Sequence, residues 1–388
     1  MASFYRMRNG VKNYAWGSRT ALNTLFGMPN PDEQPQAEIW MGAHPAGCSE
    51  IEVGANTVSL QDAIAKSPGT VLGERTMEKF SGLPFLLKIL SAESALSLQV
   101  HPDKRQAVEG YARQGNRAGE DYNDANHKPE LVYAITPFMA MNGFRPYQEI
   151  VNHFLRLSSP ELMPALIDFR HNLNNEGLKN FFVGLMQLAP QEKHTVLRQL
   201  DESLQAGAFV HLQEFLIRLQ RDYPGDIGVL APLFLHCITL EPGEAMFLRA
   251  GTLHAYVYGT AVEVMACSDN VLRAGLTPKK INLSELVNCT AFSETHEHNL
   301  KLIPDIAGNE SHYHVPVEDF RFSVIENCQQ HRIEVFSAQI LLVLEGYTTL
   351  RDTYGEEMTF CVGQSVFIPA QTEAYFLTQS GQCCLVQC

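Results

Sequence analysis

Gln99 and His101, in the run Ser97-Leu98-Gln99-Val100-His101-Pro102-Asp103-Lys104, are two metal-ligand side chains spaced two residues apart. The apolar approach from Phe85 to Val100 reads as strand, and alternate residues of a strand share a face, so Gln99 and His101 point together while Val100 points away. Two ligands on one face chelate, but they do not make a site alone. In Asn126-His127-Lys128-Pro129-Glu130-Leu131 the proline pushes Lys128 into extended backbone, and Lys128 and Glu130 share a face as a strand begins. In Gly251-Thr252-Leu253-His254-Ala255-Tyr256 a turn leads into a strand on which His254, Tyr256 and Tyr258 alternate to one side. In Val262-Glu263-Val264 the valines pack and the carboxylate faces the other way. The run from Ser268 to Lys280 then brings Asp269 and Arg273, whose planar fork suits a phosphate or carboxylate.

Each segment has an ordinary reading: a packed histidine, a surface Lys–Glu pair of little energetic weight, a loop with an exposed arginine. Taken together, Gln99, His101, Glu130 and His254 make an N2O2 set suited to zinc and tolerable to manganese, iron or cobalt. A closed structural zinc site typically uses cysteine, so this mixed set leaves room for an open coordination position.

These residues need a frame to hold them. A chain of 388 residues, 45% hydrophobic and 19% charged without a low-complexity tract, predicts two or three compact domains. The start Met-Ala-Ser-Phe-Tyr-Arg lacks the apolar core of a signal peptide, and no apolar run reaches membrane-span length. Nine cysteines without a Cys-x-x-Cys pair read as reduced thiols, so the expected compartment is cytoplasmic. A formal charge of −14 argues against nucleic acid or an anionic membrane as partner. Nothing suggests an obligatory protein partner, and an anionic small molecule would need a local basic pocket.

The texture is strand-like to about Pro146, with few helical periods beyond Leu60 to Ala65. Between Tyr147 and Tyr223 the apolar residues recur at the helical period, as in Leu178, Phe181, Phe182, Leu185 and Met186, with Asn174-Asn175-Glu176 as a helix start. Strands return at Phe234 to Leu240 and Ala245 to Leu248. An internal echo aligns Gly243 through Tyr256 with Gly363 through Tyr375, placing Glu373 where the first copy has His254. The expected fold is therefore mainly β with an α-helical insertion: two jelly-roll, cupin-like β-sandwiches plus a helical domain. Residues 1–146 and 232–300 would form a discontinuous catalytic metal-binding roll, 147–231 the insertion, and 301–388 a C-terminal roll whose metal site is lost.

The segments, in order along the whole chain, resemble the type I phosphomannose isomerases of the cupin superfamily. The resemblance rests on Asn13-Tyr14-Ala15-Trp16-Gly17-Ser18, Ala37-Glu38-Ile39-Trp40-Met41-Gly42-Ala43-His44-Pro45, Pro84-Phe85-Leu86-Leu87-Lys88-Ile89-Leu90, the Gln-x-His run, His-Lys-Pro-Glu, Gly-Thr-x-His-Ala-Tyr and Asn270-Val271-Leu272-Arg273-Ala274-Gly275. It implies one Zn2+ per chain on Gln99, His101, Glu130 and His254, and a catalytic arginine at Arg273. It also implies reversible conversion of mannose 6-phosphate to fructose 6-phosphate through an enediol. For the proton transfer the chain offers Glu263, Asp269 and the His127 and Lys128 pair, and the choice among them stays open. Arg273 and Lys128 are expected to manage charge, with His127 or Asp269 aiding ring opening. Ser97 and Lys88 are candidate substrate contacts and Trp16 a candidate sugar-facing wall. Glu38, Trp40 and His44 also match and read first as structural. The loop from Pro102 to Asn126 varies in length in the family, so its contacts do not transfer. The alternatives are an iron-dependent cupin oxygenase on His101, His254 and Glu130, and a sugar-phosphate-binding regulator without turnover.

Overall fold

The computed structural model describes residues 2–119 and 121–388. There are two antiparallel β assemblies, of ten and eleven strands, and a helical insertion that leaves the first after Phe138–Phe144 and returns to it at Leu235–Leu240. The hub of the first is the 13-residue strand His254–Ala266, whose β-branched and aromatic residues favour extended backbone. Its first half pairs with Phe138–Phe144 and Leu98–Val100, its second with Phe85–Ala92 and Glu130–Ala134. The corner lies at Gly259, φ +112, where a Cβ would sit 2.4 Å from the Pro137 carbonyl oxygen, so only glycine fits. A register shift between Tyr256 and Tyr258 accompanies the corner. Tyr258 therefore leaves the face that strict alternation assigned to it and packs under the Arg218 guanidinium, 4.2 Å from its ring centre.

Alternation sets what faces inward. Leu98, Val100, Leu253, Ala255, Leu272 and Ala274 pack outward against the helices, while Leu87, Ile89, Leu131, Tyr133, Val262 and Val264 pack outward against the C-terminal strands. The residues between them, Gln99, His254, Lys88, Glu130 and Glu263, are thereby directed into the first barrel.

The insertion runs from Tyr147–Leu157 through Gln213–Asp222, with Asn174 capping Asn175–Met186 by accepting from the Gly177 amide at 3.0 Å. The first 146 residues hold more helix than their strand-like texture implies: Ala21–Phe26, Pro68–Leu72, Glu74–Phe80 and Lys104–Arg113 join Leu60–Lys66. Most are too short to display a helical period.

In the second assembly Gln339–Asp352 and Ala374–Gln387 form the long central pair. The edge of this sheet corrects the expected partition of the chain. Tyr5–Arg8 pairs with Ser365–Ile368 on one side and with Glu50–Val53 on the other, so these N-terminal strands belong to the C-terminal assembly rather than to the first roll. The echoed turns both use left-handed glycines, Gly243 at φ +91 and Gly363 at φ +77. Glu373 itself is exposed, at φ +59. Among the described residues no helix is long and apolar enough to cross a membrane.

Candidate active site and metal centre

The registers bring distant segments into rows. Across one row Arg273 stands opposite Gln99, Gln99 opposite His254 and His254 opposite Asn142; across another Trp40 stands opposite Lys88 and Lys88 opposite Glu263. Residues directly opposite in antiparallel strands share a face. Arg273 is thus set beside Gln99 by backbone pairing alone.

His101, Glu130 and His254 converge, each almost wholly buried, with one potential ligand atom apiece within 4.8 Å of the others. The hydrogen-bond pattern fixes which atoms these are. His101 Nδ1 lies 2.6 Å from the Asn270 carbonyl and His254 Nδ1 2.8 Å from the Thr252 carbonyl, and a carbonyl only accepts. Both Nδ1 atoms therefore carry the proton, and both Nε2 atoms present lone pairs to Glu130, 3.3 and 3.4 Å from its oxygens. Among the described residues His101 Nε2 and Glu130 Oε1 have no hydrogen-bond partner, although Lys128 Nζ lies 2.8 Å from that oxygen without hydrogen-bond alignment. Buried groups of this kind are ordinarily satisfied. Three electron-pair donors facing one another with no proton between them fit a cation.

Electrostatics agree with this reading. Burial, then the Lys128 charge, lowers His101 to about 4, so its ring is neutral. Burial alone would raise Glu130, but the nearby positive charge, that of the Lys128 ammonium first, holds the carboxyl well below its ordinary range. Gln99 completes the rim, its amide nitrogen 3.4 Å from His254 Nε2 and its oxygen accepting from Ser97 Oγ at 3.2 Å. Amide orientation is interchangeable by a half turn, so either atom can face the cage.

Behind the cage runs a second buried array. Lys88 Nζ lies 2.9 Å from Glu263 Oε2 and 3.5 Å from Glu38 Oε1, and Trp40 Nε1 donates to Glu38 Oε2 at 2.7 Å. The Tyr256 hydroxyl lies 2.9 Å from Glu130 Oε2 and 3.0 Å from Glu263 Oε1. One hydroxyl proton cannot serve two carboxylates, so the second contact is complete only when a carboxyl carries a proton. Burial raises Glu263 and the Lys88 charge offsets this only in part, so of the two carboxyls Glu263 is the readier to take up that proton. Tyr256 is raised well above its ordinary value, first by burial and then by the two carboxylates.

The outer residues are distributed differently. Asp269, 43% exposed at its side chain, lies 3.4 Å from His44 Nε2, while His44 Nδ1 accepts from the Ala46 amide at 3.1 Å. Arg273 is half-buried, and among the described residues no hydrogen bond or ion pair engages it; burial lowers its pKa. Trp16 packs at the edge of the barrel interior beside Tyr14. The His127 ring does not join the cage: its Nε2 meets both oxygens of Asp319 at 3.0 Å, on the approach to the C-terminal strands. Lys88, read as a substrate contact, is enclosed by carboxylates. Glu38, Tyr256 and His44 have larger parts in the arrangement than their sequence positions suggested. Glu38 and Trp40 could have been paired with Lys88 by alternation, whereas nothing in the sequence joined Asp319 to His127.

A family model described as phosphomannose isomerase type I, catalytic domain, matches residues 4–147, and one described as its helical insertion domain matches residues 159–235. The mannose-6-phosphate isomerase of Salmonella typhimurium is 43% identical over 374 residues, covering 94% of this chain and 94% of that one. The Homo sapiens enzyme is 35% identical over 371 residues, covering 87% and 86%. A crystal structure of mannose 6-phosphate isomerase with zinc bound superposes with TM-score 0.95 at 41% identity, covering 100% of this chain and 99% of that chain.

Proposed function

The chain belongs to the type I phosphomannose isomerase family, and we propose that the His101, Glu130 and His254 cage, with Gln99, is the zinc centre at which it interconverts mannose 6-phosphate and fructose 6-phosphate. The observation that carries this is the convergence of His101 Nε2, His254 Nε2 and Glu130, in which His101 Nε2 and Glu130 Oε1 have no hydrogen-bond partner among the described residues. Three protein ligands and a neutral amide suit zinc and leave a position for substrate. When bound, zinc supplies a Lewis acid that polarises the sugar oxygens.

The protein's own groups divide the remaining work. Arg273, a cation with no carboxylate partner among the described residues and set beside Gln99, meets the anionic substrate, and its planar fork suits phosphate or an enediolate. Lys128 keeps Glu130 ionised and adds positive charge at the reacting oxygens. Glu263, with a pKa raised by burial, takes the proton that moves between C2 and C1. Asp269, held toward His44 at the exposed side, assists ring opening. Ser97 orients the Gln99 amide and Trp16 walls the sugar side. His127, whose ring is held by Asp319 at 3.0 Å, takes no direct part at the cage. The three-ligand set by itself also suits an iron oxygenase, but Arg273 beside it, without an ion-pair partner among the described residues, favours a phosphorylated substrate. A cytoplasmic site of action fits nine cysteines that are all free thiols.

The test is a coupled fructose 6-phosphate assay on protein stripped by a chelator and reloaded with zinc. Activity should vanish and return; full turnover in verified metal-free protein would refute the proposal.

A further inference from the structure

We propose that Asp124 is a positioning residue for the metal cage, acting through Asn270 on His101. The proposal rests on the reading of His101 as a zinc ligand.

Asp124 lies in a polar segment that contributes little to any core, yet its carboxylate gathers four donors: the amides of Asn126 at 2.8 Å and Asp269 at 2.8 Å, the Ser268 hydroxyl at 2.9 Å and Asn270 Nδ2 at 3.2 Å. Asn270 is fully buried. Its Oδ1 accepts from the amides of Asn123 at 2.7 Å and Asp124 at 3.2 Å, and its Nδ2 also donates to the carbonyls of Asp124 at 2.9 Å and Asn126 at 2.8 Å. With its side chain clamped from every direction, the backbone of Asn270 has one remaining outward group, the carbonyl that receives His101 Nδ1–H at 2.6 Å.

That contact sets both the tautomer and the tilt of the ring, and so the direction of the Nε2 lone pair. An ionised carboxylate suits the hub because it is acceptor-only and four donors converge on it. Asparagine at 124 would turn N–H groups against those donors. The same hub fixes the backbone of Asp269, from which its side chain reaches His44. A loop staple without this role would tie 123–126 to 267–270 but leave the metal indifferent to it.

The test is zinc binding to metal-free protein by competition with a chromophoric chelator, for the unaltered chain, Asp124→Asn, Ser268→Ala and Asp121→Asn. Asp121 supplies a control, since its carboxylate accepts from Asn282 Nδ2 at 2.7 Å in the same segment and does not touch Asn270. Asp124→Asn should weaken zinc binding about tenfold or more, within the range for partners that orient a ligand. Ser268→Ala should weaken it less but in the same direction, and carries the test if Asp124→Asn fails to fold. Asp121→Asn should leave zinc binding unchanged. In the metal-free proteins the His101 ring N–H proton, read by nitrogen-edited NMR, should exchange faster in Asp124→Asn, and to a lesser degree in Ser268→Ala, but not in Asp121→Asn. Equal zinc affinity in Asp124→Asn and Asp121→Asn overturns the inference. No zinc uptake by the unaltered chain would instead remove the cage reading, and the inference with it.

Discussion

Replacing Lys88 by Met keeps most of the buried stem and removes one ammonium from between Glu263 Oε2, at 2.9 Å, and Glu38 Oε1, at 3.5 Å. Burial depresses Lys88, but the two carboxylates outweigh it and raise the group, so the lysine is charged. Without it, Glu263 keeps its burial and the repulsion of Glu130 and loses its main compensation, so its carboxyl rises further. The sign follows from proton linkage. A carboxyl raised in the folded state binds more protons folded than unfolded, so stability falls as pH climbs above the unfolded value near 4.3. A carboxyl forced to stay protonated costs about 1.4 kcal/mol per pH unit above that value, hence at most about 1.6 kcal/mol at pH 5.5 and about 4.4 kcal/mol at pH 7.5. The upper figure lies within the roughly 3–5 kcal/mol expected when one member of a buried ion pair is removed. Urea denaturation of zinc-saturated protein at both pH values, with unchanged m-values, reads the deficit directly. A deficit equal at pH 5.5 and 7.5, or larger in acid, would refute the account of this array.

Arg273→Ala should lower kcat/KM by about 10²–10³, the usual loss for a group that stabilises developing negative charge. Its melting curve should not move, because among the described residues the guanidinium has no partner to orphan; unchanged kcat/KM would remove it from the mechanism. Tyr256→Phe deletes the hydroxyl between Glu130 and Glu263 and leaves a buried carboxylate oxygen short of a donor, a cost of about 1–3 kcal/mol. It should reduce kcat of the zinc-loaded enzyme and shift the limb of the pH profile that reports Glu263, and a profile superposable on that of the unaltered enzyme would count against Glu263 as the base.

Much of the centre was legible because strand alternation is a short-range property. Gln99 with His101, Lys128 with Glu130, and Glu263 between two valines each declared an inward face within a few residues. The helical insertion was legible for the same reason, since five helices long enough to repeat fill 147–222. What escaped depends on events far along the chain or on a single irregularity. The register shift beside Tyr258 turns one side chain out of the pocket, and alternation cannot foresee it. His127 finds its partner 192 residues away, in Asp319. The asparagines and aspartates of 121–126 look like ordinary turn residues until the 267–270 segment is laid against them.

The pairing of Tyr5–Arg8 with Ser365–Ile368 also bears on how the molecule comes into being. A strand made among the first residues must wait for one made about 360 residues later, which at 5–20 residues per second of synthesis is roughly 20–70 s. Through that interval Met7 can pair with Ile51, but Phe4 and Tyr5, both buried at the end, lack the strand that covers them. Contacts of such long range are slow to form, and an unpaired apolar strand invites wrong partners while it waits. The segment around Tyr5 is therefore open to wrong pairing until Ser365–Ile368 has been made, and the second β assembly closes only after that.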